Sequence, residues 1–155
     1  MHNKLQVAFD DPQHGWVGLT ISDGDKTVKV IASYTPYDSF LDLTNALYRL
    51  HQYEGQVTMT WNEEPWETDL CFSRMEKLVR LQIIENPDHR RGLIDGETVL
   101  DVSGTYEKIC IPFWRALRDL QGRFTAAELD ARWHRPFPSK EINMLTETIR
   151  NGRWE

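Results

Sequence analysis

Residues 56–85 read QVTMTWNEEPWETDLCFSRMEKLVRLQIIE. Three runs inside this stretch, 56–61 (QVTMTW), 68–74 (TDLCFSR) and 77–85 (KLVRLQIIE), alternate apolar with polar side chains, the two-residue period of a half-buried strand. Short links between such strands predict an antiparallel sheet with one wet face. Working outward, 97–103 (ETVLDVS) adds a strand after a loop at 86–96 (NPDHRRGLIDG), which is rich in turn formers.

Upstream, 4–9 (KLQVAF), 16–22 (WVGLTIS) and 26–34 (KTVKVIASY) read as a three-stranded meander. Its turns are Asp10-Asp11-Pro12-Gln13-His14-Gly15 and Asp23-Gly24-Asp25. In 16–22, Val17, Leu19 and Ile21 fall on one side, while Trp16, Gly18, Thr20 and Ser22 fall on the other.

The period changes from two to 3.6 at Tyr37–Tyr53, where Phe40, Leu43, Leu47 and Leu50 form one helical stripe. Asp38 or Ser39 serves as its N-cap and Gly55 as its stop. Tyr106–Phe124 carries a second stripe, with Pro112 marking either a kink or the true first turn. Thr125 and Glu128 predict a capping box for a helix at 126–133, and Ser139 caps a last helix at 140–150. The expected fold is therefore α+β, a single domain over 1–155. It has an antiparallel sheet of about seven strands, one long helix inserted after the third, and the C-terminal helices packed on one face.

Composition bounds what this domain does. A chain of 155 residues with 11% aromatic side chains has the means to build a core, and no apolar run approaches the ~20 residues of a membrane span. The N-terminus has no charged-then-apolar leader. Cys71 and Cys110 lie in apolar surroundings outside any Cys-x-x-Cys pair, so a reducing, cytoplasmic setting is expected. The net charge is -6. Residues 1–75 account for all of it, with 5 Lys and Arg against 11 Asp and Glu; residues 76–155 carry 13 of each sign. An acidic first half argues against nucleic acid and fits the steering of a basic partner.

The stretch Trp61-Asn62-Glu63-Glu64-Pro65-Trp66-Glu67-Thr68-Asp69 joins two strands and gathers four carboxylates with two indoles. Adjacent Glu63 and Glu64 followed by Pro65 do not oppose each other across a cleft as glycosidase carboxylates do. Tryptophan beside acid is instead the composition of a protein-recognition surface. The candidate partner-binding residues are Glu63, Glu64, Trp66, Glu67 and Asp69, with Asp10 and Asp11 as a second group. Asp10, Asp11 and His14 have metal-binding chemistry, yet the Pro12 and Gly15 among them read as turn formers, so no metal and no cofactor is expected. Two basic clusters, His89-Arg90-Arg91 and Arg132-x-His134-Arg135, have the chemistry to hold an anion. Phosphate-loop, dinucleotide and nucleophile-elbow motifs are absent from the sequence.

The succession SYTPYDSF (33–40), WNEEPWE (61–67) with FSR (72–74), and TYEKICIPFWRALRDLQ (105–121) ahead of RWHRPFP (132–138) resembles a group of small bacterial α+β proteins. In size, acidity and architecture these are similar to the immunity proteins of polymorphic or contact-dependent toxin systems. The resemblance lies in local pattern and assigns no role to an individual residue. It implies a non-enzymatic protein whose acidic and aromatic surface masks a basic toxin domain. Two alternatives stay open: a small-molecule or metal-assisted enzyme with a pocket on the sheet, and a homodimer formed through exposed Trp and Leu of the sheet.

Overall fold

In the computed structural model, residues 5–87 and 96–152 are described. Seven strands pair in chain order: β1 (Gln6–Phe9), β2 (Trp16–Ser22), β3 (Thr27–Ser33), β4 (Gly55–Asn62), β5 (Glu67–Met75), β6 (Leu78–Asn86) and β7 (Glu97–Gly104). Every neighbouring pair is antiparallel. Helix α1 (Ser39–Gln52) enters after β3, and α2 (Tyr106–Ile109), α3 (Ile111–Arg123), α4 (Ala126–Trp133) and α5 (Ser139–Asn151) follow the sheet. The protein is α+β, with its helices packed against the sheet.

Alternation decides which strand face turns inward. Val17, Leu19 and Ile21 of β2, Val28 and Val30 of β3, and Leu70 and Phe72 of β5 are buried beneath the helices. The α1 stripe of Phe40, Leu43, Leu47 and Leu50 is equally buried and lies against β4 and α5. Phe40 anchors an aromatic cluster, its ring 5.9 Å from Trp61, 4.8 Å from Trp133 and 5.1 Å from both Phe9 and Phe137. The pairs with Trp61, Trp133 and Phe137 are edge-to-face, and such pairs add about 0.5–1.5 kcal/mol each beyond their buried area. The indole N–H groups of Trp61 and Trp133 have no hydrogen-bond partner in this core.

Several details differ from the periodicity. The stripe at 106–124 is two helices, because Pro112 has no N–H for a continuous ladder; the chain breaks at Cys110 and Pro112 sits in the first turn of α3. Asp38, not Ser39, caps α1, accepting from Leu41 N. Ser139 opens α5 rather than capping it: Pro138 holds the cap position and makes no side-chain bond. The capping box of Thr125 and Glu128 is present as expected. The loop expected at 86–96 begins beyond Asn86, and residues 88–95, with His89, Arg90 and Arg91, lie outside the described residues.

The sheet divides between β3 and β4. These strands share one register pair, Ser33↔Asn62, whereas β2–β3 and β4–β5 pair along their whole lengths. From that point β3 swings away, and its other end, Lys26–Lys29, lies across a groove from Glu85 and Val99. No helix among the described residues is long and apolar enough to cross a membrane.

Candidate functional site

Asn62 and Glu67 close the β4–β5 hairpin, leaving Glu63–Trp66 as its tip. Glu63 N donates to Trp66 O at 2.7 Å. Glu64 has a positive φ of 43°, a strained conformation for a side chain with a Cβ. Asn62 secures it: its Oδ1 accepts from Glu64 N at 3.1 Å, and its Nδ2 donates to Thr35 O at 2.6 Å and Glu64 Oε1 at 3.4 Å. Glu64, Pro65 and Trp66 are thereby held out into solvent, with Trp66 49% exposed.

The acidic residues of the hairpin divide by environment. Glu67 and Asp69 are buried on the outer side of β5, at 2% and 7% exposure. The Tyr37 hydroxyl donates to Glu67 Oε2 at 2.8 Å, the Thr60 hydroxyl to Asp69 Oδ1 at 2.8 Å, and Asn86 Nδ2 to Asp69 Oδ2 at 3.3 Å. These two carboxylates bind the hairpin to its own neighbours. Glu63 is half-buried in the opening between β3 and β4, where Oε2 accepts from Ile31 N at 3.2 Å and Oε1 from the Thr68 hydroxyl at 2.6 Å.

Asp10 and Asp11 follow β1. Asp11 pairs with Arg123. Asp10 N donates to Gly18 O at 2.9 Å, and its carboxylate lies over Gly18, where an added Cβ would stand 2.2 Å from Asp10 Oδ2. Gly18 is thus required by close approach rather than by its φ. Register then carries the row onward, since Gly18 pairs with Ile31 and Ile31 N meets Glu63. Adjacent strands are about 4.8 Å apart, so Asp10 and Glu63 flank the Gly18–Ile31 pair on one row.

Two apolar side chains complete this stretch. Ile31 is 52% exposed, and Trp16, 38% exposed, follows Gly18 in the outward alternation of β2. Both were visible in sequence as apolar residues in the polar phase of their strands. Sequence alone does not show that they stand beside Asp10 and Glu63, because the contacts that bring them there come from other segments of the chain. Trp16 and Ile31 thus stand exposed near Asp10 and Glu63, and Trp66 is exposed separately at the hairpin tip next to Glu64 and Pro65, in phase with Thr68 and Leu70. Beyond it, burial first, then the carboxylates of Glu63 and Glu97, hold the Glu85 carboxyl above the ordinary glutamate range.

The basic residues near the C-terminal helices have structural work. Arg132 donates to Pro12 O and lies over the Phe124 ring, Arg135 donates to Tyr34 O and Pro36 O, and His134 meets the Tyr34 ring edge-on. Among the described residues no three His, Cys, Asp or Glu side chains are grouped to hold a metal ion. Cys110 is fully buried and burial pushes its thiol far up, the condition of an inert packing residue. Comparison with protein-family models, with curated proteins and with solved structures finds no match to this chain.

Proposed function

We propose that the protein is a non-enzymatic binding protein whose partner docks over Trp16, Ile31 and Trp66, and that it acts as an immunity protein masking a basic toxin domain. The observation that carries this reading is Trp16 and Ile31 exposed near Asp10 and Glu63, with Trp66 exposed next to Glu64 at the adjoining hairpin tip. Tryptophans are the usual energetic anchors of protein interfaces, and a carboxylate rim fits Arg and Lys on the other side. The acidic first half of the chain would steer such a partner and make its association rate fall with salt. Asp10, Glu63, Glu64 and Trp66 form the contact in this reading, while Glu67 and Asp69 support it from beneath and Asp11 stays engaged with Arg123. The free thiols of Cys71 and Cys110 fit a cytoplasmic site of action.

The test is retention of a partner on the tagged protein from the source-cell lysate, at low and at moderate salt, read by mass spectrometry. The expected result is one stoichiometric basic polypeptide whose retention falls as salt rises. Protein recovered alone at both salts overturns the reading.

A further inference from the structure

The split between β3 and β4 leaves two internal strand edges, and they are protected very differently. The bond from Glu63 N to Trp66 O fixes the phase of β4, so Gln56, Thr58 and Thr60 direct their N–H and C=O groups away from β5. Thr60 O accepts from the Ser39 hydroxyl at 2.7 Å, but Gln56 and Thr58 face no strand, since β3 meets β4 only at Asn62. An exposed edge is a template for pairing, and proteins normally blunt it with Lys, Pro, bulges or cover. Lys26, just before β3, and Lys29 within it flank that strand's edge, and Glu63 occupies Ile31 N. At the sheet margins α3 packs along β1, with Arg123 on Phe9 O, while β7 has α2 beside it and a bulge opposite Ile83 and Ile84. The Gln56–Thr58 edge has α1 packed beside it but, among the described residues, no Lys, Pro, bulge or capping side chain, and both residues stay exposed.

Beside that edge, α1 presents Asp42, Asn45 and Arg49, spaced three and four residues apart and hence on one helical row. They line a groove of about 270 Å³ with Val57, Thr58 and Met59. Asn45 and Arg49 also line an adjoining groove of about 450 Å³ with Tyr48 and Tyr53, which are 40% and 65% exposed. The row reads acid, amide, base, with its charged ends about 10 Å apart along the helix axis. Turned by half a revolution about Asn45, such a row meets itself with Asp42 against Arg49 at both ends. The same axis suits the strand, because Asn45 lies in the groove beside Val57 and Thr58. An antiparallel β4–β4 pair centred on Val57 would set Gln56 against Thr58, each pair exchanging both N–H···O bonds.

We propose that the occupant of this edge is a second copy of the chain. Two protomers join β4 to β4 antiparallel, with the Asp42–Asn45–Arg49 row of one α1 meeting that of the other around a twofold axis. Burial first, then the neighbouring Asp38 carboxylate, hold Asp42 above the ordinary aspartate range against the opposing pull of Arg135 in the same chain. The interface is independent of the partner reading above, as Val57 lies six residues, roughly 20 Å of strand, from Glu63 at the hairpin tip.

Light scattering coupled to size exclusion tests this. The expected mass for the wild type is twice the 18.2 kDa of the chain. Arg49→Asp should give a monomer, Asp42→Arg with Arg49→Asp should restore the dimer, and Thr58→Pro, which removes an edge donor, should give a monomer. Circular dichroism of each variant should match the wild type. A wild-type monomer overturns the proposal, as does a dimer indifferent to Arg49→Asp and Thr58→Pro, or a charge swap that stays monomeric. If Thr58→Pro loses its fold, the swap pair alone decides.

Discussion

The outer face of the sheet has two halves that treat their side chains in opposite ways. Across the middle of β4–β7 it satisfies itself, and only Met75 and Leu78, at the β5–β6 turn, stand apolar in water among its described residues. Tyr37 meets Glu67, Thr60 and Asn86 meet Asp69, and Arg80 donates to both oxygens of Asp101 at 2.9 and 2.6 Å. Across β2 and β3, Trp16 and Ile31 are left in water near the carboxylates of Asp10 and Glu63, and Trp66 is exposed at the hairpin tip that borders this half. A polar face closed by its own hydrogen bonds has little to offer a partner, because docking there exchanges one satisfied bond for another. Exposed apolar side chains with an acidic rim gain by being covered.

The largest effect that separates the halves is expected from Trp16→Ala combined with Trp66→Ala. Each anchor of this kind is worth about 2 kcal/mol or more, so a captured partner should lose at least about 30-fold in affinity while the melting temperature holds. Biolayer interferometry beside a thermal melt checks both parts. Second is a change in stability rather than binding. Asn62 is 2% exposed and bonds Thr35 O, Glu64 N and Glu64 Oε1, so Asn62→Ala should cost about 1–3 kcal/mol in urea unfolding and free the tip.

A smaller effect is expected at Glu85, and it has the opposite sign. Its folded carboxyl holds a proton more tightly than the unfolded one, owing to burial and to Glu63 and Glu97. The raised group favours the fold below the unfolded value, and that contribution is lost as pH rises through the folded one. At neutral pH Glu85→Gln should therefore raise the melting temperature, and the gain should shrink to nothing as pH falls below the ordinary glutamate range. Melts from pH 7 to pH 3 would show it; a gain that grows toward acid would contradict the assignment. Least affected should be Arg80→Ala. Its pair with Asp101 is 49% and 41% exposed, so no change in melting temperature is expected by differential scanning fluorimetry.

Much of the fold was legible because the strands alternate cleanly and the α1 stripe recurs at three and four residues. Two features were not. The stripe at 106–124 survives the break at Cys110, since α2 and α3 bury Ile109 and Phe113 in the same core and only Pro112 marks the change. The division between β3 and β4 has no local signal at all: it follows from where α1 inserts and from Glu63 taking the place of a strand partner at Ile31 N. In the candidate site, sequence showed that acids and indoles share a hairpin. It did not show which carboxylates turn inward, because Glu67 and Asp69 are buried through Tyr37, Thr60 and Asn86, residues from three other elements or connections.

The most direct measurement is the affinity of the captured partner for two double variants, one on each half of the outer face. Trp16→Ala with Trp66→Ala should lose at least about 30-fold, and Arg80→Ala with Gln82→Ala should bind as the wild type does. Loss confined to the Arg80 and Gln82 variant, with full affinity retained by the tryptophan variant, would contradict the account.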